Sequence, residues 1–183
     1  MKNKLVFTSA AIYLFLFIFG FTIANFTSTG IKPENISGTV LSNLQPPDLL
    51  SILNSNLLVW IYLHLGMVTF GASTLINLSY NAFIFGSIIS KSLQVGLETK
   101  EVLLLTLPHA IFEIPAIIIA GAAGFKIPYE IIRYLAGKKE TILTKEDIKE
   151  YLTLALISIT LIIIAAWIEA NVTLRIAKSM LKE

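Results

Sequence analysis

The sequence predicts an all-α fold: a polytopic transmembrane helix bundle of about five spans, with a broken, re-entrant-like segment in its middle. Three observations carry this. Of 183 residues, 55% are hydrophobic and only 14% charged, whereas a soluble domain is nearer a quarter charged. The mean hydropathy is +0.77. Four apolar runs, Leu5–Asn25, Leu49–Ser90, Leu103–Phe125 and Tyr151–Leu174, each reach the ~20 residues a helix needs to cross ~30 Å of hydrocarbon. At this length residues 1–183 make one integral membrane domain, without room for a separate soluble one. The absence of cysteine excludes disulfides, thiolate metal sites and cysteine nucleophiles. A net charge of +2, divided among apolar runs, argues against nucleic acid as a partner.

The first span, 5–25, follows Lys2 and Lys4. It is longer than the apolar region of a cleaved signal and lacks an A-x-A site, so it reads as a retained helix, with Tyr13 and the phenylalanines as lipid-facing bulk. Residues 26–48 form a polar connection in which Ile36, Val40, Leu41 and Leu44 recur at helical spacing, as in a short interfacial helix. Asn25 and Asn35 head glycosylation sequons, a weak pattern. Leu49–Ser90 holds no Lys, Arg, Asp or Glu. As one helix it would run about 60 Å, so it must break. The break is expected between Gly71 and Asn81, giving spans 56–74 and 78–95, the second shortened by Lys91. A single crossing here would leave four spans instead. His64 falls inside the first of these spans, and Asn77 and Asn81 flank the break, where they would satisfy a turn at depth.

After a short polar loop at Glu98, Lys100 and Glu101 comes the span 103–125, which carries His109 and Glu113 four residues apart on one helical face. Ionisable groups at such depth face a protein interior or cavity rather than lipid. The same face continues as Ala116, Ala120 and Gly124, a small-xxx-small row suited to close helix packing. Pro108 and Pro115 lack the N–H that the carbonyls of Leu104 and Ile111 would use, so kinks are expected there, as in the broken helices of transport sites. Residues 126–150 read as a charged cytoplasmic loop, in which Thr144 starts a helix as N-cap with Asp147 completing a capping box. The last span, 151–174, holds Trp167, Glu169 and Asn171 near its far end. The basic residues favour a cytoplasmic N-terminus in a multi-pass cell-membrane protein.

Spans 103–125 and 151–174 run antiparallel. At ~1.5 Å per residue from the loop between them, His109 lies about 22 Å, Glu113 about 17 Å and Glu169 about 27 Å deep. They are expected to form one polar cluster, with His64 and Asn81 as neighbours. Such a set can hold a bundle together by hydrogen bonds, relay protons, or bind a divalent metal through His109, Glu113 and Glu169. The metal reading is the weakest, because PHAIFE is not the HExxH zinc motif and no nucleophile elbow or Walker loop occurs. No catalytic residue and no cofactor is assigned.

Three segments resemble the stage II sporulation protein M family of small polytopic membrane proteins. Leu107–Gly124 (LPHAIFEIPAIIIAGAAG) is similar to that family's Pro-His-Gly…Glu…Pro-Ala core followed by small residues. The Gly71–Gly86 run has Asn81 where the family has Asn-Gly, and Ile168–Thr173 is similar to its closing Ile-Glu-Ala-Phe-Val-Thr segment. Ala110, Ala82 and Asn171 depart from Gly, Gly and Phe, and residues 1–47 carry no part of the match. The named member serves as a membrane scaffold for two partners that degrade peptidoglycan during engulfment. By analogy the resemblance implies a non-enzymatic scaffold or assembly subunit, but not the sporulation role itself. Its partners would be the bilayer and other membrane or envelope proteins, with a homodimer through Ala116, Ala120 and Gly124. The competing expectation is a transporter or channel component using the His–Glu cluster for protons, ions or a small solute. An intramembrane metalloenzyme comes third.

Overall fold

A computed structural model of the chain describes residues 2–27, 48–173, 175–176 and 179, with no strand among the described residues. The helices are α1 (Lys2–Thr27), α2 (Leu49–His64), α3 (Ala72–Gln94), α4 (Thr99–Leu135) and α5 (Lys145–Ile168). A 3-10 turn, Leu65–Met67, follows α2, and a π turn, Glu169–Thr173, ends α5. Among the described residues five helices are long and apolar enough to cross a membrane. The interfacial helix expected around Ile36–Leu44 and the Asn35 sequon lie outside the described residues.

The break in the uncharged segment falls at 65–71, earlier than the 71–81 expected. Phe70 (φ 52°) and Gly71 (φ 86°) both take left-handed backbone there, and Gly71 N–H donates to Gly66 O at 2.8 Å. The hydroxyls of Ser73 and Thr74 then donate back to Tyr62 O (2.6 Å) and Leu63 O (2.7 Å). The last carbonyls of α2 would otherwise lack donors away from water. Ser73 and Thr74 are thus caps for the preceding helix, not part of the break. Asp48 caps the start of α2 by accepting from Ser51 N at 2.9 Å, so that span begins at Leu49 rather than at 56.

Helix α4 is longer than the expected span at both ends. Glu98 and Glu101 form a capping box at its start, so Glu98, Lys100 and Glu101 belong to the helix entry rather than to a loop. The helix runs from Thr99 to Leu135 through Pro108, Pro115 and Pro128, and Gly137, with φ 68°, turns the chain just past its end. The expected loop 126–150 is therefore mostly helix, with a connector of residues 136–144. Helix α5 opens as expected: Asp147 N–H donates to Thr144 Oγ1 (3.2 Å), and Thr144 N–H donates to Asp147 Oδ2 (2.9 Å).

Helices α1 and α3 lie side by side and parallel. A Cβ on Gly20 would sit 2.1 Å from Phe83 O, and one on Gly86 2.1 Å from Phe17 O, so backbone meets backbone at both. Ser87 Oγ donates across this seam to Gly20 O at 3.1 Å, and Gln94 Nε2 reaches Ala24 O at 3.2 Å further along. Helix α4 packs antiparallel on both, with α2 and α5 beyond it. The start of α1, the 65–71 turn and the connector share one end of the bundle. The core between them is Tyr13, Leu63, Leu78, Ala82, Ile117 and Ala120. Tyr13 is 5% exposed, so it is interior and not lipid-facing bulk. Its neighbours Ser9 and Ala24 are buried on the same α1 face, at helical spacing.

The small row of α4 is occupied from within the chain. Ala116, Ala120 and Gly124 are buried. A Cβ on Gly124 would lie 2.1 Å from Leu63 O and 2.3 Å from Thr74 Oγ1. The Gly124 carbonyl, whose helical donor Pro128 removes, lies against Gly66, where an added Cβ would be 3.0 Å away. At Gly124 the row meets Leu63 of α2 and Thr74 of α3 of the same chain, so a homodimer through that end of it would compete with contacts already made.

Candidate functional site

Helix α4 stacks His109 and Glu113 one turn apart, and the end of α5 brings Glu169 and Thr173 opposite them. The long α4–α5 hairpin sets this register. Counted from the connector, His109 and Thr173 lie about equally far along their helices, as do Glu113 and Glu169. His109 Nδ1 lies 3.1 Å from Thr173 Oγ1, and Thr173 is buried. Glu113 and Glu169 are within electrostatic reach of one another. The residues from Glu169 to Thr173 form a π turn, a local widening often found at functional positions. Thr173 had no place in the expected cluster. Its signal was its four-residue spacing from Glu169.

Glu113 opens into a pocket of about 160 Å³ between α1, α3 and α4, shared with Tyr13, Asn81, Phe85, Ile114 and Ile117. Asn81 Nδ2 donates to Asn77 O (2.8 Å) and Asn77 Nδ2 to Ser73 O (2.9 Å), so both amides are steadied by their own helix. Asn81 thus stands beside Glu113. His64 does not. Because α2 ends at His64, that residue lies at the connector end, where its ring packs on Trp60 (4.0 Å between centroids) and edge-on to Tyr151 (5.7 Å). Its Nδ1 lies 2.8 Å from Trp60 O, and Trp60 Nε1 donates to Ser158 Oγ at 2.9 Å. The expectation placed His64 mid-span because it put the break too late. Among the described residues no group of three or more His, Cys, Asp and Glu is placed to hold a metal ion.

A second polar centre was missed. Lys126 Nζ, 1% exposed, pairs with Glu130 Oε1 (2.9 Å), Asp147 Oδ1 (3.1 Å) and Glu150 Oε2 (2.9 Å). Glu130 Oε2 also meets Arg133 (3.1 Å) and Lys139 (3.0 Å), and Lys139 bonds Asp147. Three cations thus balance three carboxylates and clamp the base of the α4–α5 hairpin. Burial works against the Lys139 charge, but its bonds to Asp147 and Glu130 outweigh that and hold its ammonium above the usual range. The signal was the i, i+3/i+4 spacing of Lys126, Glu130 and Arg133 and of Asp147 and Glu150. Taking the segment for a solvated loop hid it.

The model of the stage II sporulation protein M family matches residues 9–174. The match starts inside α1, so it covers the first span, which the sequence motifs had left out. Two relatives come from Methanocaldococcus jannaschii. Uncharacterized protein MJ0793 is 46% identical over 165 residues, covering 90% of this chain and 91% of that protein. Uncharacterized protein MJ0706 is 32% identical over 136 residues, covering 72% of this chain and 58% of that protein. No solved structure matches the chain significantly.

Proposed function

The chain belongs to the stage II sporulation protein M family, and from that premise we propose that this multi-pass membrane protein is a non-enzymatic scaffold or assembly subunit of a membrane complex. The observation that carries the reading is the packing beyond Glu113. Ala116, Ala120, Ala122, Ala123 and Gly124 are buried, and backbone approaches backbone at Gly124 where a conduit would need space. A body packed this way holds a fixed outer shape, which is what a scaffold presents. Its partners are the bilayer and other membrane or envelope proteins. A homodimer would use the outer faces of the bundle. The end bearing the connector is assigned to the cytoplasm, because Lys4, Lys138, Lys145 and Lys149 lie there.

A transport component is the second reading, favoured by the pocket at Glu113. Reconstitution of the purified chain into liposomes, with proton and monovalent-cation flux as readout, separates the two. The scaffold reading expects no flux above protein-free liposomes. Flux that Glu113→Gln abolishes would overturn it in favour of transport.

A further inference from the structure

Glu113 carries a carboxylate for which the described residues supply no complement. It accepts no hydrogen bond from the described residues, and the Tyr13 hydroxyl beside it makes none with them either. The amide nitrogen of Asn81 is committed to Asn77 O at 2.8 Å, and its side-chain oxygen has no donor among the described residues. Three oxygen-bearing groups from three helices thus line one pocket of about 160 Å³, walled by Phe85, Ile114 and Ile117. The inward-facing cations Lys126, Arg133 and Lys139 are engaged at the connector end. A carboxylate among apolar walls calls for a cation or a proton. The pocket also borders Ile88, which is 53% exposed, so it has a lateral way in from the membrane side.

We propose that this pocket binds a primary alkylammonium group. An ammonium has three N–H donors, matched here by Glu113, the Asn81 side-chain oxygen and the Tyr13 hydroxyl. Its alkyl stem would lie along Ile114 and Ile117, with the Phe85 and Tyr13 rings close to the charge. A cavity of about 150 Å³ takes a molecule of benzene size, which fits a stem of about four carbons and excludes bulky quaternary ammonium ions. The group can come from a free alkylamine or from a lysine on a partner membrane helix. The proposal goes beyond the scaffold reading and stands or falls without it.

The test titrates the full chain in mild detergent with n-butylammonium chloride, using sodium chloride, n-butanol and tetraethylammonium as controls and the thermal midpoint as readout. The expected result is a saturable rise with butylammonium alone, lost in Glu113→Gln. Tyr13→Phe, which keeps the ring and removes one oxygen, should weaken the apparent affinity about tenfold; this variant carries the test if Glu113→Gln does not fold. No saturable rise in the wild type, or an equal rise in Glu113→Gln, would overturn the proposal. A leucine–alanine transmembrane peptide with one central lysine distinguishes the sources. Competition with butylammonium assigns the site to a partner's lysine, and binding of butylammonium unaffected by the peptide assigns it to a free amine.

Discussion

Glu113 and Lys126 sit in the same helix, and their surroundings predict opposite responses to mutation. Lys126 is enclosed by three carboxylates, and removing one partner of a buried charge set leaves the others unpaired. Lys126→Met should lower stability by about 3 kcal/mol, read as the unfolding midpoint in detergent. Glu113 accepts no hydrogen bond from the described residues, so replacing it loses no bond. Glu113→Leu, in walls of Ile114 and Ile117, should leave stability within about 1 kcal/mol of wild type. A loss as large as that of Lys126→Met would make Glu113 a structural group after all. Much of this site was legible from residue type and spacing: His109, Glu113 and Glu169 were readable as ionisable groups in apolar runs. Tyr13 was not, because a tyrosine among phenylalanines in a first span looks like lipid-facing bulk until Ser9 and Ala24 are recognised on its face.

The helices meet through glycines at two seams. In the α1–α3 seam, Gly86→Ala would put a methyl group 2.1 Å from Phe17 O, a backbone atom that can give only if the helices part. The expected cost is about 2 kcal/mol, again read as the unfolding midpoint. Gly96→Ala, at φ +97° but with nothing within 4 Å, tests backbone strain without a clash and should cost less. The connector between α4 and α5 predicts a pH response. The Lys139 ammonium is held above its usual range by Asp147 and Glu130, so its contribution is fully present below the unfolded lysine value of ~10.4 and is lost as pH rises through the higher folded value. Stability should therefore fall above about pH 10, and Lys139→Met should flatten that limb. Element existence was readable from apolar run length, and the Thr144–Asp147 start from its capping pattern. The 65–71 turn was placed too late because Ser73 and Thr74 look like breakers in sequence, although their hydroxyls close the end of the preceding helix. The ends of α4 and α5 were hidden because charged residues at i, i+4 spacing look the same whether they are solvated or paired with a neighbouring helix.

At the scale of the whole molecule, the bundle is built around α4, with small residues spent on close contacts inside the chain. A row of Ala116, Ala120 and Gly124 in a single sequence says that some helix comes close, but not whose. Here that helix belongs to the same chain. The measurement that tests the scaffold account most directly is the mass of the complex extracted from the protein's own membranes in mild detergent, compared with the mass of the chain purified alone. The account predicts a larger assembly of fixed stoichiometry containing other membrane or envelope proteins. If the native species has the same mass as the isolated chain or a simple multiple of it, with no other protein present, the scaffold account is contradicted.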